Sequence, residues 1–224
     1  MVQSEIVLTP VLMGTKTMAR ADRTGTCITL DRSVIPPSRL SLADGEVAGG
    51  YENTFIRGAD PAPCNTRRNF SHQGAVLFDF SELERRHAVV IEAILEGTTR
   101  TPVFPENIVI EMDVYQATQA WAPGNFMGAL NTTDPLAQIP FLPVARGDEH
   151  YALGGVMRDG VTAPGLSVKV TRTVQNWVQN RVRVPNHGFV FAPLQAHVYA
   201  EENQNFIEVY SNLRLRLKIL EPAP

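Results

Sequence analysis

The strict alternation in segment 212–220, NLRLRLKIL, constrains the fold of this 224-residue chain more than any other feature. Leu213, Leu215 and Leu217 occupy every second position, and Arg214 and Arg216 lie between them. Successive side chains of a β-strand point to opposite faces of its sheet. The segment therefore predicts a strand with an apolar inner face and a charged outer face, which needs both a sheet partner and a core.

Similar short apolar segments run through the chain, each bounded by Gly, Pro, Asn or Asp, as strands are. Gly and Pro contribute 16 residues each and charged residues only 19%, a composition typical of short strands joined by many loops. In 107–115, NIVIEMDVY, the alternation of apolar with polar residues such as Glu111 and Asp113 predicts a half-buried strand of an antiparallel sheet. The predicted strands are 5–8, 27–30, 54–56, 75–80, 89–95, 108–115, 166–170, 188–191, 206–210 and 213–220.

Two segments favour helix. In 81–86, Ser81 is predicted as the N-cap, with Glu84 at the spacing of a capping box. In 171–179, Val174, Trp177 and Val178 fall on one face at helical spacing. About ten strands with two short helical segments predict an all-β fold, a two-sheet antiparallel sandwich of jelly-roll type, formed by residues 1–224 as a single domain.

Several motifs carry a resemblance to a known family. The segment GAVLFDFSELERRHAVVIEAILEGTT, with its tripeptide at 78–80 followed by a Ser-led turn and a long strand, resembles the core of the DNRLRE-type domains. These domains are related to the disaggregatase repeats and are grouped with carbohydrate-binding modules. The segments VYQATQAWAPGN, VKVTRTVQNWVQ, PNHGFVF and FIEVYS follow in the family's order, so the resemblance covers about 74–220. It implies a non-enzymatic, usually extracellular β-sandwich module; residues 1–73 fit it poorly, and 130–155 is predicted to be a loop insertion.

Charge, hydropathy and cysteine content limit the partners that the protein can bind and the cellular compartment in which it is expected. With 20 basic and 23 acidic residues, the chain has no excess of positive charge suited to nucleic acid or anionic lipid. No apolar run reaches the length of a membrane span, and the first residues do not match a secretory signal peptide. Cys27 and Cys64 allow one disulfide or a free buried pair, and both alternatives stay open. An extracellular or virion location is expected.

Candidate ligand-binding residues are few. Trp121 precedes a loop and Tyr51 lies between Gly50 and Glu52, so both are candidates for a surface on which a sugar ring stacks. Trp177 is predicted to lie in the core. His187, within a PNHG sequence, is predicted to occupy a turn that favours a positive φ.

Metal and cofactor sites are not expected. The five histidines show no spacing typical of zinc ligands, and no nucleophile elbow, phosphate loop or zinc-protease motif is present in the sequence. A structural Ca²⁺ is not indicated either, because Asp148 and Glu149, like the acidic residues at 201–202, match no defined calcium loop. The tripeptide Arg146, Gly147, Asp148 spells an integrin motif, but three-residue matches arise easily by chance.

The N-terminal segment is predicted to take part in assembly. Ile6, Leu8, Val11 and Leu12 belong to an apolar stretch that a monomer could hardly leave exposed. The stretch either supplies an edge strand to its own sheet or pairs with a neighbouring subunit, and the sequence does not decide between them. The first functional hypothesis is therefore a non-enzymatic virion-surface, tail-associated or other extracellular assembly subunit that forms a homo-oligomer. The alternative is a module that binds polysaccharide through loop aromatics.

Overall fold

The computed structural model describes residues 1–24, 40–56, 65–103, 112–122, 124–127, 139–149, 165–180, 183–193 and 205–223. The structure is mostly β, which confirms the predicted all-β fold, and the two predicted helical segments form its two helices. Within the described residues the elements are β1 (Val2–Leu8), β2 (Leu12–Thr24), β3 (Val47–Ile56), β4 (Asn65–Leu77), α1 (Ser81–Arg85), β5 (Val89–Val103), β6 (Met112–Ala117), β7 (Gly124–Met127), β8 (Phe141–Pro143), β9 (Leu166–Lys169), α2 (Thr171–Gln179), β10 (Phe189–Pro193) and β11 (Asn205–Glu221).

These strands belong to one curled hydrogen-bonded sheet in the order β8-β6-β10-β4-β3-β11-β5-β9. β1 pairs with β11, β2 pairs with β4, and the pairing of β2 with β7 is parallel, while the others are antiparallel. The expected division into two sheets is not confirmed, because β3 pairs with both β4 and β11 and so joins the two halves. The first and second strands, from the part of the chain that fits the family resemblance poorly, are integral to this sheet.

The main core lies between the two halves of the curled sheet. Val76, Phe189 and Phe191 contribute to it from β4 and β10, and the leucines of β11 contribute from the other half, together with α2. The predicted alternation of β11 is confirmed, since Leu213, Leu215 and Leu217 are buried and the basic residues that alternate with them face outward. Arg214 and Arg216 contact the Glu96 carboxylate on the outer face.

β11 unites two predicted strands, 206–210 and 213–220, in one continuous element. Its register against β5 shifts between Ser211 and Arg214, where Asn212 has a φ of 51°. A β-bulge of this kind bends a strand and increases its twist. The bend lets the first part of β11 pair with β3 and the second part pair with β1.

β6 is not the half-buried strand that its alternation predicts. Over the described residues of this segment, Met112, Asp113, Val114 and Tyr115 are all buried. Val114 faces the main core, whereas Tyr115 belongs to a second cluster that Ile139 and neighbouring side chains complete. The face with polar residues is therefore covered by a distant segment that the local pattern cannot reveal.

The cap of α1 also differs from the prediction. Phe80 occupies the N-cap position, and Ser81 makes no capping contact to a later N–H. Instead the Asp79 carboxylate accepts hydrogen bonds from the N–H and hydroxyl of Ser81, at 2.9 and 2.8 Å, and these bonds lower the pKa of Asp79. The predicted helix at 171–179 is confirmed over the whole range. The predicted strand at 27–30, residues 108–111 of another, Cys27 and Cys64 lie outside the described residues.

Candidate functional site

The two aromatic residues proposed to bind sugars occupy different environments. Tyr51 is completely buried on β3, so its ring offers no surface on which a sugar can stack, and this part of the prediction does not hold. Trp121 is half-buried against the second cluster, and its indole N–H donates a 2.7 Å hydrogen bond to the carbonyl of His187. The Trp121 side chain therefore ties the loop after β6 to the turn before β10, and part of its ring remains exposed.

The turn before β10 contains a positive φ, but not at the predicted residue. Gly188, with a φ of 90°, adopts it, whereas His187 does not. The Asn186 side chain shapes the turn by donating to the carbonyl of Phe78 and accepting from the N–H of Gly188, at 2.7 and 3.0 Å. This is an Asx-turn, in which a side chain takes the place of a backbone partner.

The segment 145–148 forms the cap of α2. The Asp148 carboxylate accepts the N–H groups of Arg172 and Thr173 at 2.7 and 2.8 Å. The Thr173 hydroxyl in turn accepts the N–H of Ala145 at 2.8 Å. Asp148 is buried in this role, so its carboxylate is not displayed as an integrin ligand would be. Among the described residues, no three His, Cys, Asp or Glu side chains gather into a metal-binding group.

A buried polar network joins β2, β3 and β4, and no sequence motif indicated it. Thr17 Oγ1 lies 3.0 Å from His72 Nδ1, and His72 Nε2 lies 3.4 Å from Glu52 Oε2. All three side chains are buried, and the His72 ring also stacks on Phe70. A hydroxyl, an imidazole and a carboxylate within reach of one another resemble a catalytic set, but the imidazole is 0% exposed. We therefore interpret the network as a polar bridge between neighbouring strands.

A prediction on pH follows from the buried face of β6. Burial, together with the charge of Asp113, raises the pKa of Tyr115 from 10.0 to about 12. Because the folded pKa lies above the unfolded one, the stabilising contribution is complete below pH 10 and is lost as the pH rises toward 12. Urea unfolding across this pH range is expected to show a steeper loss of stability in the wild type than in Tyr115→Phe. Parallel curves for the two proteins would contradict the assignment.

The N-terminal segment lies in the sheet of its own chain. β1 pairs with β11 from Val2, opposite Glu221, to Leu8, opposite Leu215. Ile6 and Leu8 pack against the main core and are partly buried. The in-domain alternative for this segment is thus the one observed, although no strand of the described chain pairs with the other edge of β1.

The same segment carries most of the exposed apolar surface among the described residues. Val11 and Val7 are 61% and 52% exposed, and Leu12 at the start of β2 is half-buried. Four of the seven large apolar side chains that are exposed belong to the first eleven residues. The seven are Met1, Val2, Val7, Val11, Val89, Ile91 and Leu142. We call the outer edge of β1 with Val2 and Val7 the β1 edge.

Comparisons with known proteins do not assign a family. No protein-family model matches the chain, and no curated protein matches it significantly in sequence. The resemblance of residues 74–220 to the DNRLRE-type domains therefore stays a prediction. No helix in the described part of the chain is long and apolar enough to cross a membrane.

Proposed function

We propose that the protein is a non-enzymatic structural subunit that assembles with further copies of itself through the β1 edge. Virion surfaces, tail structures and other extracellular assemblies are the class of setting that we infer for it. The observation that carries the proposal is a strand edge that no described strand pairs with and that exposed valines flank, while the strand itself is anchored by seven residue pairs to β11.

In the part of the chain that the structure describes, the β1 edge lacks the features by which monomeric proteins protect free edges. Exposed edge strands normally carry lysine, proline or a bulge, or they are very short, because their unpaired N–H and C=O groups can pair with another chain. β1, with the sequence VQSEIVL, has seven residues and one charged side chain, Glu5. The other strands with a wholly free edge in the described chain, β7, β8 and β9, have only three or four residues.

Apolar exposure on both faces of this edge supports the same proposal. Val7 lies on the outer face, opposite Arg216, while Val2 shares the face of Ile6 and Leu8. A strand from a second copy would cover these valines and pair the free backbone groups at the same time. Burial of apolar surface contributes about 25 cal/mol per Å², so an extended edge contact of this kind is favourable.

The absence of catalysis is the second part of the proposal. The Thr17, His72, Glu52 set combines groups of the kind that catalytic sites use, and its members are buried within the sheet. The burial of all three side chains supports a structural role for the set.

A lysine at the β1 edge is expected to abolish assembly. Val7→Lys places a charge on an exposed site, so the fold should be kept while pairing with a second strand becomes unfavourable. Light scattering after size-exclusion chromatography should show an oligomer for the wild type and a monomer for Val7→Lys. The matched control is Leu142→Lys, a site on β8 with 57% exposure, which should leave the oligomer intact. A monomeric wild type, or an oligomer in Val7→Lys, would refute the proposal.

A polysaccharide-binding module is the second candidate, and it depends on Trp121, because Tyr51 is buried. The half-buried ring of Trp121 in the loop after β6 is the observation that favours it. A glycan array should then show binding that is lost in Trp121→Ala under conditions where this variant is folded. Retained binding in the variant would exclude Trp121 as the stacking residue.

A further inference from the structure

A pocket of about 600 Å³ opens between the segment 145–148, the end of β9 and the first turns of α2. Its size falls within the range of small-molecule sites. Three basic side chains converge on it from these three elements: Arg146, Lys169 and Arg172. The amide side chains Gln175 and Asn176 complete its polar wall. We call it the basic pocket.

The wall of the basic pocket is fixed by hydrogen bonds of the chain itself. Because Asp148 and Thr173 bind the segment 145–148 to α2, Arg146 and Arg172 are held on neighbouring parts of the wall. Gly147 adopts a φ of 96°, and a Cβ at this position would lie 3.0 Å from Nε of Arg172. The Arg172 guanidinium thus lies directly against the Gly147 backbone. Gln175 is also held, since its amide donates to the carbonyl of Val90 at 2.8 Å.

Basic side chains outnumber acidic ones in the lining of the basic pocket. Arg146, Lys169 and Arg172 form no ion pair with any residue that the structure describes, whereas Arg100, Arg214 and Arg216 each contact a carboxylate. Asp148 is the acidic residue of the lining, and both of its oxygens accept N–H groups of α2. The carboxylate of the next residue, Glu149, accepts the backbone N–H of Lys169 at 2.9 Å. The first N–H groups of α2 are therefore already bonded by Asp148. Because Glu92 interacts electrostatically with Lys169, the positive charge left for a ligand belongs chiefly to Arg146 and Arg172.

We propose that the basic pocket binds a small ligand through an oxyanion group, a carboxylate, sulfate or phosphate. Guanidinium groups match the geometry of such oxyanions, and an ammonium adds a third charged donor. The side-chain amides can take hydrogen bonds to hydroxyl groups on the same ligand. This site is separate from the β1 edge, and ligand binding does not require assembly.

Isothermal titration calorimetry tests this site and identifies the oxyanion. The probes are inorganic phosphate, inorganic sulfate and glucuronate, which offers a carboxylate on a hydroxylated ring. At least one probe is expected to bind, and Arg172→Gln should weaken it about tenfold to a hundredfold, the range for one charged hydrogen bond. Arg146→Gln is expected to have an effect in the same range. Both side chains are exposed and neither caps the helix, so both variants should fold.

The control variant is Arg85→Gln, which removes an equal charge at a site that is 73% exposed and pairs with Glu82. It should bind the probe as the wild type does, and so should Val7→Lys, because the two sites are independent. Three results would each overturn the proposal: no probe binds, the double variant Arg146→Gln/Arg172→Gln binds unchanged, or Arg85→Gln weakens binding as strongly. The last result would indicate a response to net charge only.

Discussion

Replacing Trp177 with alanine is expected to lower the free energy of unfolding by about 3–5 kcal/mol, the range for removing a large aromatic from a core. Trp177 is 2% exposed, and its ring centroid lies 4.8 Å from that of Phe189 and 6.2 Å from that of Phe80. Its indole N–H has no hydrogen-bond partner among the described residues. The expected loss therefore reflects the packing of α2 on the sheet, and alanine would leave a cavity there.

Two further variants separate packing from other effects. Trp177→Phe should be much less destabilising, because a phenyl ring fills part of the same volume and carries no unpartnered N–H. Trp121→Ala should lose less than Trp177→Ala, since Trp121 is only half-buried. The measurement is urea unfolding followed by circular dichroism, with the slope compared among variants. A loss below about 1 kcal/mol in Trp177→Ala would contradict the position of α2 on the main core.

Gly188→Ala is expected to cost roughly 2–5 kcal/mol, the sum of a left-handed backbone penalty and of overpacking. Gly188 has a φ of 90°, and a Cβ on it would collide with the carbonyl oxygen of Val76 on the neighbouring β4. The oxygen belongs to the backbone of a central strand, so it cannot move aside without disturbing the sheet. The Gly188 carbonyl also accepts the N–H of Ala117, which links this turn to β6.

Gly45→Ala is the matched control for this prediction. Gly45 has a φ of 79°, but a Cβ on it would meet no atom of the described residues within 4 Å. It should therefore show the backbone penalty alone, about 1–2 kcal/mol. Thermal and urea unfolding of the two variants would separate strain from collision. If both variants lose the same free energy of unfolding, the close approach of Gly188 to β4 does not contribute to the loss.

The sequence predicted those elements whose burial pattern is local. Leu215 and Leu217 alternate with basic residues because one face of β11 covers the core and the other carries ion pairs to β5. Val174 and Trp177 of α2 have helical spacing because one face of the helix packs on the sheet. In both cases the period of the pattern reflects burial on a single side, which is what periodicity can detect.

Strands with polar residues in the interior were not predicted correctly from the sequence. Most of β4, NTRRNFSHQGAVL, and all of β2 lack apolar alternation, yet Ser71, His72 and Gln73 are buried. Their polar atoms are satisfied by partners far away in sequence, such as Thr17 for His72 and Ile139 for Gln73, at separations of 55 and 66 residues. A single sequence carries no local sign of such pairings.

The candidate sites, too, could be predicted from the sequence only where they do not depend on contacts between distant segments. The sequence showed that the N-terminal segment is apolar, but of the four residues predicted for assembly only Val11 is exposed, since Ile6 and Leu8 pack on the core of their own chain and Leu12 is half-buried. The basic pocket was not visible in the sequence, since Arg146 and Arg172 come together only when Asp148 caps a helix 24 residues further along. The buried position of Tyr51 was likewise hidden, because β3 becomes a central strand only by pairing with β4 and β11, which come from other parts of the chain.

Hydrogen–deuterium exchange at the β1 edge tests the central claim most directly. Antiparallel pairing with β11 uses about half of the N–H groups of β1, and the others point away from β11 toward the free edge. If copies pair through this edge, these outward amides should exchange slowly in the wild-type assembly and rapidly in Val7→Lys, while the amides bonded to β11 stay protected in both. Rapid exchange of the outward amides in concentrated wild-type protein would contradict assembly through β1.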